Sequence, residues 1–343
     1  MSVRDLKKPS LWSTGISGYV LLLGALIINM IIQGGSFFTV DSLSSLLSSN
    51  LPLIIAALAQ MIIMLSGGID ISLGNTMALT NGVAIVLSNA FGLPIVTSFL
   101  LALAAGTAVG LANGLIIAFL RIPPLLVTFA MSMVVKGVSL VVLPKPGGSV
   151  PVELYRTYGG EVLGVPTAVW LIVIAAVLLM LVSKFKISKH LSAVGTNERN
   201  AYVSGIAVDK VKVYAYTVGG LIAACAGLCL TALTASGDVR VGEAFALQSI
   251  AAVIIGGTLG SGKWGSYILG AICGALFLAI VNNIVFFVFN MIAMNNPDMM
   301  ISTFYQQLLS NFIIIFGLAS AVLTNKTNYQ KIKVREVKEG GKA

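Results

Sequence analysis

The chain has 343 residues, of which 57% are hydrophobic and only 10% charged, with a net charge of +9. A soluble globular domain carries about 25% charged residues. This composition, with a mean hydropathy of +0.98, therefore excludes a water-soluble protein and predicts a lipid environment. The length accommodates about ten membrane spans of roughly 20 residues with short loops.

The positive charge is concentrated in three segments. Of the 21 Lys and Arg residues, 15 lie before the first apolar run, in a polar stretch at residues 184–212, or after the last apolar run. Cytoplasmic loops of membrane proteins are enriched in Lys and Arg, so all three segments are predicted to be cytoplasmic. The basic balance therefore indicates no nucleic acid partner.

In chain order, the apolar runs predict an all-α, polytopic integral membrane protein with about ten transmembrane helices, some short or re-entrant. Residues 1–15 are expected to form a cytoplasmic segment, residues 16–324 a single transmembrane domain, and residues 325–343 a basic cytoplasmic tail. A Ser-rich outer segment precedes the second span, which is expected to start at Pro52 because proline suits a first helical turn. The predicted spans are residues 16–32, 52–66, 76–88, 95–120, 125–143, 167–182, 213–235, 246–258, 266–289 and 303–323.

A break at membrane depth is predicted between the second and third spans, at residues 67–74 with the sequence GGIDISLG. A carboxylate at the centre of a membrane helix costs about 2.5–3.5 kcal/mol on insertion scales, so Asp70 should face a cavity or have a partner. It is a proton or ion site, a fold-defining contact near a translocation route, or a cap on the third span. The cap is favoured, because one acid without a basic partner in the membrane makes a poor relay.

The polar stretch at residues 184–212 contains a predicted short helix at about residues 198–204. Thr196 or Asn197 is suited to the N-cap, Glu198 to the positive end of the helix dipole, and Gly205 to the C-terminal stop. An exposed helix between membrane spans is a surface that a soluble motor could push. The alternative is a solvated linker.

The chain offers no catalytic constellation and no metal site, and we predict that it is not an enzyme and binds no cofactor. It has one histidine, and its three cysteines all lie in apolar spans. Residues 257–263 fit the spacing of a phosphate-binding loop, but Trp264 stands where a Ser or Thr would hold magnesium. The stretch is interpreted as a turn between two membrane helices.

Uncharged polar side chains within the spans suggest either hydrogen bonds between helices or a polar route for a hydroxyl-rich solute. Glycines at four-residue spacing in the fourth and ninth spans predict close helix packing. With Asp70, the residues predicted for a translocation path are Asn81, Asn113, Thr128, Asn282 and Asn283.

Several stretches together resemble the membrane permease subunits of bacterial ABC importers of the ribose, galactose and xylose type. They occur in the order of that family and extend over residues 51–323. The matching pieces are LSGGIDISLG at 65–74, GLANG at 110–114, IPPLLVTF at 122–129, AVGTNE at 193–198, SGI at 204–206, IAAVIIGGT at 250–258, GKWGS at 262–266, and the Asn pair at 282–283.

The resemblance implies a permease subunit in the bacterial inner membrane with both termini cytoplasmic. It implies a second permease copy or paralogue, ABC ATPase subunits that hydrolyse ATP, and a periplasmic solute-binding protein. The short helix would dock on the ATPase, with coupling residues Asn197, Glu198, Arg199, Ser204 and Gly205. We hypothesise that the binding protein docks on the outer charges Glu153, Arg156, Asp238, Arg240 and Glu243.

Two alternatives remain open from the sequence. A branched-chain amino-acid ABC permease would share the Gly-rich breaks and the docking helix, although the IPPLLVTF and GGIDISLG stretches favour a sugar. An ion-coupled secondary transporter would use Asp70 as its coupling site.

Overall fold

The computed structural model describes residues 16–257 and 263–295, with short pieces at 305–306, 308–312 and 315. Almost all regular structure in this part of the chain is helical, as the composition predicts. The helices are α1 (Ile16–Gln33), α2 (Val40–Leu65), α3 (Leu73–Asn89), α4 (Ile95–Leu120), α5 (Pro124–Val142), α6 (Val152–Gly159), α7 (Thr167–Val182), α8 (Lys186–Thr196), α9 (Glu198–Val203), α10 (Val208–Thr234), α11 (Glu243–Ile255) and α12 (Trp264–Asn295). A 3-10 turn, Gly34–Phe38, follows α1, and a two-residue hairpin pairs β1 (Glu161–Val162) with β2 (Val165–Pro166).

Five of the described helices are long and apolar enough to cross a membrane: α2, α4, α5, α10 and α12. The pair α7 and α8 passes the same test but bends by 85°, while α1 and α11 are shorter apolar helices. An all-helical polytopic membrane protein is therefore confirmed, whereas the count of ten spans stays a prediction. The predicted tenth span lies mostly outside the described residues, as do the N-terminal segment and the basic tail.

The chain divides into two compact units, Gly35–Ile250 and the remainder. In the second of these, α1 packs on α12, and the Asn29 amide donates to Asn283 Oδ1 at 3.3 Å. The backbone of α1 also approaches the residue after α11 closely, since a Cβ at Gly18 would lie 2.8 Å from the Cα of Gly256.

In the Gly35–Ile250 unit, α10 packs against α2, α3 and α4. The glycines of α4 face α10 directly. A Cβ at Gly110 would lie 2.9 Å from the Cα of Gly220, and one at Gly114 would lie 2.9 Å from the Cα of Val213. The close packing predicted from the four-residue glycine spacing is therefore confirmed for this helix pair.

The predicted start of the second span at Pro52 is wrong. The Ser-rich segment before it is helical, and α2 begins after Thr39, whose hydroxyl accepts from the Ser42 N–H. Pro52 lies inside this helix of 26 residues. Proline lacks the N–H that would bond to the carbonyl four residues earlier, here that of Ser48.

A tyrosine from another helix replaces the lost bond. The Tyr158 hydroxyl, on α6, donates to the Ser48 carbonyl oxygen at 2.8 Å. Burial raises the pKa of the Tyr158 phenol, so the hydroxyl keeps the proton that it donates. The segment between α5 and α7 thus contains a short helix, α6, that satisfies the carbonyl freed by Pro52.

Replacing Tyr158 with Phe should leave the buried Ser48 carbonyl without a partner and lower the free energy of unfolding by about 1–3 kcal/mol. Thermal unfolding of the purified protein measures this. Tyr155→Phe, at an exposed position of the same helix, is the matched control and should change little. In a Pro52→Ala background the new N–H at position 52 supplies the bond, so Tyr158→Phe should cost less there. An equal loss in both backgrounds would contradict this explanation.

Candidate functional site

A break between α2 and α3, predicted at residues 67–74, is present at residues 66–72. Gly67 has φ +84°, a conformation that favours glycine, and it turns the chain out of α2. The segment that follows is non-helical and largely buried. Its backbone polar groups therefore need partners from elsewhere in the protein.

Asp70 holds the start of α3. Its Oδ1 accepts from the Ser72 N–H at 2.7 Å and from the Ser72 hydroxyl at 2.6 Å, and the Asp70 residue is only 3% exposed. The Ser72 hydroxyl also accepts from the Asn113 amide of α4 at 2.8 Å. Asp70 thus binds a free N–H at the start of α3, which is the capping arrangement favoured from the sequence.

Three further helices hold the backbone on either side of Asp70. The side-chain amide of Gln60, on α2, makes two hydrogen bonds to the Asp70 backbone. Its nitrogen donates to the Asp70 carbonyl oxygen and its oxygen accepts from the Asp70 N–H, both at 3.2 Å. Thr128, on α5, accepts from the Ile71 N–H at 3.2 Å and donates to the Ile69 carbonyl at 3.3 Å. The same carbonyl accepts from the Tyr216 hydroxyl of α10 at 3.3 Å.

We call this arrangement the clamp: the break at residues 66–72 and the side chains Gln60, Asn113, Thr128 and Tyr216 that bind it. It joins α2, α4, α5 and α10 at one point. Gly68 is required there, because a Cβ would overlap the Tyr216 hydroxyl.

The short helix predicted in the polar stretch is confirmed as α9. Asn197 is its N-cap, with Oδ1 accepting from the Asn200 N–H at 2.9 Å. Glu198, in the first turn, forms an ion pair with Lys212 of α10 at 2.7 Å. Gly205, with φ +81°, follows the C-cap Ser204. The sequence missed a second helix in this stretch, α8, which bends away from α7 and packs on α2 and α10.

Two large apolar side chains at the end of α9 are exposed to solvent. Tyr202 is 74% and Val203 78% exposed, and Arg199 and Ser204 beside them are also exposed. Beneath this surface α9 buries Ala201. Adjacent exposed aromatic and aliphatic side chains are also found at protein–protein interfaces.

The helical pair α8 and α9, which we call the coupling loop, lies directly on the clamp. Gly195 of α8 approaches the end of α2 so closely that a Cβ would overlap the Leu65 carbonyl oxygen and lie 3.0 Å from the Gly67 nitrogen. A cavity of about 220 Å³ beside this contact is lined by residues of the break, the coupling loop and α10. Because this contact is between backbone atoms, a displacement of α8 would push directly on the break.

The structure brings together only some of the residues predicted for a translocation path. Asp70, Asn113 and Thr128 all belong to the clamp and are buried. Asn81 lies further along α3, where its amide donates to the Thr231 hydroxyl at 2.9 Å. Asn282 and Asn283 lie on α12, in the other unit. Their assignment to a path stays a prediction.

The charged residues predicted to dock a binding protein lie on α6, after α10 and at the start of α11. Glu153 and Arg156 are on α6, whose Tyr158 bonds to α2. Asp238 and Arg240 follow α10, and the Asp238 N–H donates to Asn81 Oδ1 at 2.8 Å. Glu243 begins α11 and forms an ion pair with Lys136 of α5. Residues 258–262 of the Gly-rich turn lie outside the described part of the chain.

Sequence reasoning missed Tyr216, Ser72 and Lys136. Tyr216 carries no distinguishing signal among the aromatic residues of an apolar span. Lys136 does carry a signal in the sequence, since it is a charged residue within an otherwise apolar predicted span. Among the described residues, no group of His, Cys, Asp or Glu side chains could hold a metal ion.

Comparison with known proteins gives consistent matches over most of the chain. The family described as "Branched-chain amino acid transport system / permease component" matches residues 42–318. The ribose import permease protein RbsC of Escherichia coli is 32% identical over 255 residues, covering 72% of this chain and 78% of that protein. That of Haemophilus influenzae is 31% identical over 288 residues, covering 82% and 85%. The autoinducer 2 import system permease protein LsrC of Klebsiella pneumoniae is 32% identical over 267 residues, covering 76% of each.

Thr128→Val removes both bonds that α5 makes to the break and leaves the Ile71 N–H without its acceptor. We expect a loss of about 1–3 kcal/mol in the free energy of unfolding, seen as a lower thermal unfolding temperature. Thr107→Val is the control, because the Thr107 hydroxyl only donates to the Leu103 carbonyl of its own helix. If the two variants unfold at the same temperature, the clamp does not depend on Thr128.

Proposed function

Because the chain belongs to the family of branched-chain amino acid transport system permease components, we propose that it is the permease subunit of an ABC importer for a monosaccharide or a sugar-like solute. It would form the translocation path across the bacterial inner membrane, with ATP hydrolysed by a separate subunit. The observation that carries this proposal is the exposed apolar face of α9, held by the coupling loop against the clamp.

The substrate class is supported by the names of the relatives and by the polar groups of the spans. The E. coli and H. influenzae relatives are named for ribose. The buried polar side chains of α3, α4 and α5 are mainly amides and hydroxyls, which suit the surroundings of a hydroxyl-rich, uncharged solute.

The orientation follows from charge. The coupling loop carries Lys186, Lys189, Arg199 and neighbouring basic residues, so it faces the cytoplasm, and both termini lie on the same side. The opposite end, with α6 and the hairpin, then faces outward. Glu153 and Arg156, both on α6, would form ion pairs there with a periplasmic solute-binding protein.

The ATPase subunits would act through α9. Tyr202 and Val203 enter an apolar recess on an ATPase subunit, and closure of the ATPase pair on ATP shifts the coupling loop. Gly195 passes that shift to the end of α2 and to the break. The clamp carries it into four helices together, which would open the path between this chain and a second permease copy or paralogue to alternate sides.

In this account Asp70, Asn113 and Thr128 position the helices around the path instead of coordinating a coupling ion. Asp70 is only 3% exposed, and its side chain accepts from the Ser72 N–H and the Ser72 hydroxyl at the start of α3. The clamp therefore supports the motor-driven importer over an ion-coupled transporter that uses Asp70.

Uptake by proteoliposomes that contain the chain, its ATPase and its binding protein tests the function. We expect ATP-dependent accumulation of labelled ribose that persists when an uncoupler collapses the ion gradients. The description of the family makes a branched-chain amino acid the second candidate, so labelled leucine is measured in parallel. Leucine uptake without ribose uptake would overturn the sugar assignment, and loss of uptake with the uncoupler alone would overturn the ATP-driven mechanism.

Replacing both Tyr202 and Val203 with Asp should abolish co-purification of the ATPase from gently solubilised membranes, because two carboxylates cannot enter an apolar recess. Val152→Asp, an exposed apolar position on α6, is the matched control at the opposite end and should keep the ATPase bound. Retention of the ATPase by the double variant would show that α9 is not its docking element.

A further inference from the structure

The segment between α10 and α11, residues 235–242, reaches deep along α3. At its start the Asn81 amide of α3 donates to the Ser236 carbonyl at 3.1 Å, and the Asp238 N–H donates to Asn81 Oδ1. At its end a Cβ at Gly242 would overlap the carbonyl oxygen of Gly74, the second residue of α3. The rise of 1.5 Å per residue makes Asn81 to Gly74 about 10 Å of helix. The segment therefore follows α3 toward the clamp, and we interpret it as re-entrant.

Non-helical backbone at membrane depth occurs only where protein buries it or where it lines a water-filled cavity. The side of this segment that faces α3 is buried, as Gly237, Val239 and Gly242 show. The other side is open, with Arg240 and Val241 exposed. Lipid would leave polar groups on that open side unsatisfied, whereas water would satisfy them.

An ion pair extends the same open surface. Lys136 Nζ of α5 lies 2.5 Å from Glu243 Oε1 at the start of α11, and the two side chains are 42% and 49% exposed. Lys136 lies one helical turn beyond Ser132, whose hydroxyl binds the Asn75 amide of α3 at 2.7 Å, so the pair lies within the length of the spans. Ionised side chains at this depth face a protein interior or water, and half-exposed ones have no protein covering them.

We propose that residues 236–242 and the Lys136–Glu243 pair line the aqueous route of the solute, and that the ammonium and carboxylate groups of the pair bind its hydroxyls. The carboxylate accepts from a hydroxyl and the ammonium donates to one, so together they fit neighbouring hydroxyls of a polyol or sugar. This proposal rests on the proposed transport function, and it assigns the lining of the solute route to α5, to the start of α11 and to the segment before α11. Glu243 then has a different role from the docking role suggested by its charge.

Aqueous access is measured by the reactivity of single cysteines with a cationic, membrane-impermeant methanethiosulfonate. The assembled importer is used, with Cys225, Cys229 and Cys273 replaced by Ser. Lys136→Cys and Glu243→Cys should react within about tenfold of Arg156→Cys on exposed α6, because a hydrated thiol ionises readily. Leu178→Cys, on the exposed apolar face of α7, is the lipid-facing control and should react more slowly by about a hundredfold.

Equal, slow reaction at positions 136, 243 and 178 would overturn the proposal, whether lipid or a second copy of the chain covers the surface. The reaction does not depend on the identity of the solute. Reactive cysteines without ribose uptake would therefore contradict only the proposed substrate, and ribose uptake with unreactive cysteines would contradict only this inference.

Solute contact is tested by replacing the pair with an apolar one. The double variant Lys136→Met with Glu243→Leu leaves no uncompensated charge, and at a lipid-facing site such a replacement is tolerated. At a solute-binding site ribose uptake per assembled complex should fall by about tenfold or more. The swapped pair, Lys136→Glu with Glu243→Lys, keeps both groups and should retain more uptake than the apolar pair. Unchanged uptake in the apolar variant would refute contact with the solute.

Discussion

The structure depends on how the backbone of residues 66–72 satisfies its hydrogen bonds in a protein surrounded by lipid. Each unsatisfied polar group would cost several kcal/mol there, and no water replaces the missing partners. Gln60, Thr128 and Tyr216 supply partners to the backbone of residues 69–71, and Asp70 binds the start of α3. Because the partners come from different helices, satisfying the break also fixes α2, α5 and α10 relative to one another.

The same constraint explains the other interruptions of helical structure in the Gly35–Ile250 unit. Pro52 frees a carbonyl, and Tyr158 binds it. The re-entrant segment is held by Asn81 and by paired backbone bonds between Gly147 and Gly237. In each case a polar group from a distant part of the chain replaces the missing bond. The clamp differs because the coupling loop rests directly on it, so the point that fixes the helices is also the point where an external motor could move them.

Local signals in the sequence predicted part of this fold accurately. The bounds of α4 and α7 match the predicted spans because Pro94 and Pro166 precede them and polar residues follow them. Asn197 and Gly205 gave the ends of α9. In contrast, α8 has no acidic residue in its first turn and no side-chain N-cap, and its one helical signal is the spacing of Ile187, Leu191 and Val194. Pro52 was misread as a helix start because the hydrogen bond that it removes is replaced by one from Tyr158, which lies 106 positions later in the sequence.

The candidate site was only partly accessible from the sequence. Asp70 and the Gly-rich break were evident, since a charge and glycines in an apolar region are unusual. Their partners were not, because Thr128 and Tyr216 are 57 to 147 positions away from the atoms that they bind. Residue type shows that an amide or hydroxyl in a span needs a partner, but only the packing of the helices determines which one. Lys136 and Glu243 show the same limit, since each charge is visible in the sequence and their pairing is not.

The central claim is that the coupling loop, the end of α2 and the break move as one body. Its most direct test is the distance between spin labels at Lys189→Cys on α8 and Ala90→Cys at the far end of α3, both exposed positions. The distance is measured by electron paramagnetic resonance in the assembled importer, without nucleotide and with ATP trapped, in a chain that lacks the native cysteines. The account predicts the same distance in both states, because the clamp and the Gly195 contact hold α8 and α3 together. A change of several ångströms between the states would contradict it.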